Sequence, residues 1–156
     1  MKHRFWSLGI AILFGWTVTG CRSFHREWQQ ARHQPAPTDD LTGAWEGTWQ
    51  NQNNTHQDRM RAVLTRTSPD TYQASFFAWY KRVLTFSYCT ELRVERRDGA
   101  TVFFHGASDL GKLAGGIYRY EGHATPFQYF STYDSKYDVG TFTLHRPEPQ
   151  SQTPHP

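Results

Sequence analysis

From Leu41 to Arg146 apolar and polar residues alternate in short runs, and no stretch there sustains the 3.6-residue apolar period of a surface helix. Eight runs read as strands: Gly43–Gln50, Arg59–Arg66, Tyr72–Trp79, Val83–Arg96, Thr101–His105, Gly116–Glu121, Phe127–Thr132 and Val139–Arg146. Most of the breaks carry turn residues, as in Asn51 to Asn54, Ser68-Pro69-Asp70, Asp98-Gly99, the Gly106–Gly115 stretch and Asp134 to Asp138. The break at Tyr80-Lys81-Arg82 has no such punctuation. Sidedness is plainest in the fourth run, where Glu91, Arg93, Glu95 and Arg97 fall on one face and Leu92 and Val94 on the other. Extending that register backward places Leu84, Phe86 and Tyr88 inside. In the second run Arg59 and Arg61 face out while Met60, Ala62 and Leu64 face in. Half-polar strands joined by short loops imply antiparallel neighbours and a meander, and closing eight of them into a ring removes both exposed edges. The pattern predicts an all-β fold, a small eight-stranded antiparallel up-and-down barrel, with a β-sandwich as the alternative.

The flanks differ. Residues 1 to 20 join a basic start (Lys2, His3, Arg4) to an apolar run, Trp6 to Val18, too short to span a bilayer, as in an export signal. Residues 21 to 40 read as a flexible tether in which Arg22 to Gln34 has room for a short helix before Pro35-Ala36-Pro37 stops it. Residues 147 to 156, rich in proline and polar groups, read as a disordered tail. The intervening domain, 41 to 146, holds 19 aromatic residues in 106, a β-favouring excess.

Val18-Thr19-Gly20-Cys21 resembles the lipobox of bacterial lipoprotein signal peptides. The resemblance implies cleavage before Cys21 and lipidation (palmitate-type acyl chains) at its sulfur and new amino group. Three chains would anchor the protein firmly. Arg22, rather than an acid, after that cysteine implies the periplasmic face of an outer membrane. Loss of residues 1 to 20 would leave 15 basic side chains against 14 acidic ones, a balance that gives no steering toward nucleic acid. With Cys21 lipidated, Cys89 reads as a small apolar strand residue.

Gly43-Ala44-Trp45 at the start of the domain and Arg146 at its end resemble the calycin pattern of lipocalins and avidins, in which a Gly-x-Trp on the first strand lies under an Arg from the last. That likeness implies that Trp45 and Arg146 close one barrel end. Thr132-Tyr133-Asp134 is not the lipocalin Thr-Asp-Tyr order. The layout also resembles a set of bacterial envelope lipoproteins, through Trp45-x-Gly47-x-Trp49, Gly115 to Tyr118 and the spacing from Phe130 to Phe142, a likeness that brings no activity with it.

Candidate chemistry is sparse. His56, His105, His123 and His145 lack the paired spacing of a zinc site, and no cofactor motif is present; Leu110-Gly111-Lys112 lacks the rest of a phosphate loop. Ser135 and Asp138 fit residues that cap their own turn, and Gly140 fits a bulge or left-handed turn. No catalytic constellation emerges, so an enzyme is not expected. Two functions fit. In the first, Trp49, Leu64, Phe76 and Phe142 line a lumen that binds a small apolar or amphipathic ligand. In the second, the same aromatics fill the barrel, and the protein acts in envelope assembly through its loops, the Gly106–Gly115 loop first.

Overall fold

A computed structural model describes residues 24–112 and 116–148. The expected signal segment, the lipobox cysteine Cys21 and all but the first two residues of the expected tail lie outside the described residues.

Eight antiparallel strands close into a single barrel in chain order. They are β1 (Gly43–Asn51), β2 (Gln57–Ser68), β3 (Thr71–Tyr80), β4 (Leu84–Asp98), β5 (Thr101–Asp109), β6 (Ile117–Ala124), β7 (Gln128–Asp134) and β8 (Val139–His145). Closure is made by β1, which pairs with β2 (Trp45 opposite Ala62) and with β8 (Trp49 opposite Phe142). Alternate residues point inward, so the core is one column: Trp45, Trp49, Met60, Leu64, Phe76, Leu92, Phe104, Tyr120, Tyr129 and Phe142 among others.

Four findings depart from the sequence reading. The short helix for which the expected tether has room, α1 (Phe24–Arg32), is not free but docked on the outside of the barrel. Phe24 and Trp28, one turn apart, are buried against Ala44, Val63 and Phe77, which β1, β2 and β3 turn outward. Trp28 is clamped by the Arg61 guanidinium, 3.9 Å from its ring centroid, and Phe24 stacks on Phe77 at 5.2 Å. The alternation of β4 holds only to Val94, because a bulge before Arg96 shifts the register and lays Arg96 over the Phe103 ring at 3.4 Å. Leu84 and Phe86, expected inside, lie at the rim and are more than half exposed. The expected Gly106–Gly115 loop is shorter, since β5 continues to Asp109.

The unpunctuated break between β3 and β4 is a tight turn in which Lys81 and Arg82 both take positive φ (50° and 64°). Val83 N–H donates to Tyr80 O at 3.3 Å, so this is the primed hairpin turn that Asn-Gly usually supplies. Two long basic residues there are strained.

Candidate functional site

The two barrel ends are built differently. At one end Trp45 is fully buried, and the Arg146 guanidinium lies 3.9 Å from its ring centroid. Arg146 donates to the carbonyls of Pro126 (2.8 Å), Thr42 (2.9 Å), Asp40 (3.1 Å) and Ala44 (3.4 Å), and Trp45 Nε1–H donates to Leu41 O at 2.9 Å. One side chain thus ties the chain leading into β1 to the β6–β7 turn and to the segment after β8. Burial lowers the Arg146 pKa to about 10, partly opposed by Asp40, so the group is charged at neutral pH. Burial also works against the Asp40 carboxylate, but the hydroxyl and N–H of Thr42, with Arg66 3.0 Å away, outweigh it and hold its pKa low. Gly43 is required twice over: its φ is +116°, and a Cβ there would stand 3.0 Å from Arg146 Nη1.

Above this plug the lower half of the barrel is filled. Leu64 and Phe76, expected to line a lumen, are wholly buried in the packed floor, where Phe76 touches the rings of Tyr88, Tyr120, Tyr129 and Phe142. The structure brings the other two expected wall residues, Trp49 and Phe142, to the opposite end, where the barrel opens into a cavity of about 530 Å³. Met60 and Ala78, from β2 and β3, line it together with Tyr88, Tyr118 and Tyr133 from β4, β6 and β7. Trp49 is fixed by its Nε1–H donating to Trp79 O at 2.8 Å and by stacking on Tyr80. Tyr133 packs on Phe142 at 5.0 Å and lies directly over Gly140, where a Cβ would collide with its ring and hydroxyl. Gly140 is therefore neither a bulge nor a left-handed residue but the floor under a tyrosine.

The mouth has one polar corner. Asp138 is the single charged residue lining the cavity, and its carboxylate accepts from Asn51 Nδ2 across the β1–β8 seam. Asn51 Oδ1 accepts in turn from the backbone N–H groups of Asn53 and Asn54, locking the β1–β2 turn. Burial raises the Asp138 pKa. Ser135, unlike Asp138, does cap its own turn, with Oγ accepting from Asp138 N–H at 3.0 Å. Beside Asp138 the Tyr133 hydroxyl is buried without a well-formed hydrogen bond among the described residues, as are those of Tyr120, Tyr129 and Ser131 deeper in the barrel. Burial raises the pKa values of all three tyrosines well above the ordinary range. An unpaired buried hydroxyl costs about 1–3 kcal/mol, so a bound polar group that reached one would recover part of that.

Sequence reasoning missed Asn51 and Tyr133, placed Tyr88 inside without giving it a part in the site, and read Asp138 only as a turn cap. The period-2 spacing of Tyr118 and Tyr120, and of Tyr129 and Tyr133, was the available signal for aromatic lumen positions. The histidines are scattered: His56 sits against Trp49 and Tyr80, His105 pairs with Glu95 at 3.0 Å, and His123 lies between Phe103 and Phe130 on the outer surface. A larger depression of about 840 Å³ lies outside the barrel across β4 to β7, lined by side chains of both signs, including Glu91, Arg93, Arg119 and Glu121. Cys89, expected to be a plain apolar strand residue, is disulfide-bonded. The chain's other cysteine, Cys21, is outside the described residues.

No family model matches the chain, and no curated protein matches it. Among solved structures, that of a redesigned β-barrel is similar, with a TM-score of 0.52 and 18% identity over 69% of this chain and 92% of that one. A likeness at that identity concerns architecture alone, and the architecture it supports is the closed eight-stranded antiparallel barrel.

Proposed function

We propose that the calycin-like barrel of this protein binds one small apolar or amphipathic molecule in its open mouth, and that the protein is an envelope lipoprotein tethered through lipid on Cys21 in the form in which that sulfur is not bonded to Cys89. The observation that carries this reading is the asymmetry of the interior, plugged by Trp45 and Arg146 at one end and open at the other. The mouth cavity, about 530 Å³, has the size of a small-molecule site, typically about 300–1,000 Å³. Its make-up fits such a ligand too: aromatic walls for an apolar body, and one corner, Asp138 with Asn51 and Tyr133, for a polar end.

The test of binding is titration with an amphipathic fluorescent dye such as anilinonaphthalene sulfonate. The expected result is saturation at one dye per chain, abolished by Ala78→Trp, which fills the cavity from its β3 side. Unsaturable binding, or binding indifferent to Ala78→Trp, would contradict the reading.

The second reading, a structural lipoprotein acting through its loops, draws support from the packed lower half of the barrel. It expects no dye bound in the mouth at all.

The anchor is tested by mass spectrometry of the N-terminal peptide from the membrane fraction. Acyl chains on Cys21 are expected, with loss of membrane association in Cys21→Ser. Recovery of Cys21 in a disulfide with Cys89 would count against anchoring, because one sulfur cannot hold both bonds.

A further inference from the structure

We infer that the open rim of the barrel is a membrane-docking surface that sits on anionic lipid headgroups, so that the mouth faces the bilayer. The turns at this end join β1 to β2, β3 to β4, β5 to β6 and β7 to β8. Five of the seven large apolar side chains exposed among the described residues belong to it: Val83 (82%), Tyr137 (66%), Leu84 (55%), Phe86 (51%) and Ile117 (51%). Exposed apolar groups scattered singly need no explanation, but a cluster around one opening does.

The charges agree. Lys81, Arg82, Lys112 and Lys136 stand on these turns, and the one acid among them, Asp138, is turned into the mouth and bonded to Asn51. Three acids, Asp58, Asp109 and Asp134, lie at the ends of the adjoining strands; Asp58 accepts from the N–H groups of Arg59 and Arg82, and Asp109 from that of Gly111. At the opposite end Asp39, Asp40, Asp70 and Asp98 stand among Arg66, Arg96, Arg97 and Arg146, with Arg66 paired to Asp40 and Arg96 beside Asp98. The ends therefore differ chiefly in apolar exposure: the mouth joins a cluster of exposed apolar groups to four turn cations, whereas the plug end carries both signs in close pairs. The strained turn at Lys81 and Arg82 places two of those cations where glycine would relieve the backbone.

The chain's own path supports the same orientation. Helix α1 starts against Phe77, toward the open end of β3, and runs toward the plug, delivering the chain to Gly43 at the start of β1. The chain therefore enters α1 from the mouth side. Cys21 is three residues before Phe24, a reach of about 10 Å, against about 65 Å for an undocked tether of 19 residues. This part rests on the lipoprotein reading; the rim's composition does not.

Hydrogen exchange of the full chain reconstituted in phosphatidylcholine vesicles, with and without phosphatidylglycerol, tests the inference. The expected result is at least tenfold slower exchange at residues 81–84, 116–117 and 135–138 with the anionic lipid, and no change at the closed-end turns 68–70 and 98–100. The paired substitution Lys81→Glu and Lys136→Glu should erase the slowing, since each basic group near an anionic surface strengthens association roughly fivefold. Equal slowing at both ends, slowing at the closed end, or slowing indifferent to the charge reversal would overturn the inference. If the chain washes off both kinds of vesicle in salt, it is the anchor that fails. Binding of the unanchored chain at low salt then decides the rim: preference for anionic vesicles, lost on charge reversal, sustains it, and equal binding to both ends it.

Discussion

Arg146 and Trp45 divide the work of closing the barrel: the indole fills the lumen and the guanidinium satisfies four carbonyls from segments that would otherwise separate. Trp45→Ala should destabilise the fold by about 3–5 kcal/mol, the range for deleting a large buried aromatic. Arg146→Ala should cost somewhat less, and chemical denaturation of the double variant should show a loss smaller than the sum, because the two side chains touch. Strictly additive losses would mean that the stacking contributes nothing. At the β3–β4 turn, Lys81→Asn with Arg82→Gly should raise stability by about 1–2 kcal/mol by relieving two strained residues, read from the same denaturation curves. The two sites also differ in how far they could be read from the chain. Gly43, Trp45 and Arg146 sit at the very ends of the domain in a spacing with a physical meaning, so their meeting was legible. Asn51 and Asp138 are 87 positions apart, and each has a sufficient local explanation as a turn residue. Only the register of β1 on β8 brings them together.

All eight strands were legible because one face of each is apolar and most breaks carry turn residues; the docking of the helix was not. Short, polar and followed by prolines, α1 has little intrinsic stability in water and forms because the barrel offers it a surface. The signal lay in the strands: Ala62-Val63-Leu64 and Phe76-Phe77 break alternation, and a residue apolar on both faces of a sheet expects cover on both. Trp28→Ala should therefore lower stability by about 3 kcal/mol and raise hydrogen exchange of residues 24–32 to the rate of an unstructured segment, while the strands stay protected. Uniform loss of protection across the barrel would show that α1 is part of the same cooperative unit. The β4 bulge has no comparable signal, since Glu95, Arg96 and Arg97 are all polar and fit either register.

At the scale of the molecule, the barrel is filled below and open above, and its titration follows from that. Tyr88, Tyr120, Tyr129 and Tyr133 have pKa values raised in the folded state, so the folded protein holds protons that the unfolded chain gives up above about pH 10. Their contribution is complete below that pH and is lost as pH rises past it, at up to about 5 kcal/mol per pH unit for the four groups. Phenolate absorbance should therefore appear in two stages, the exposed tyrosines first and these four only with cooperative unfolding. A single smooth titration at the ordinary value would show that the lumen is open to water throughout. Whether the upper half is open to a ligand is the central matter, and position within the barrel decides it. A crystal structure grown with one equivalent of the dye should show it against Trp49, Tyr88 and Phe142, its polar group toward Asp138. Dye found only on the outer faces, with the mouth closed over by its own tyrosines, would contradict the account.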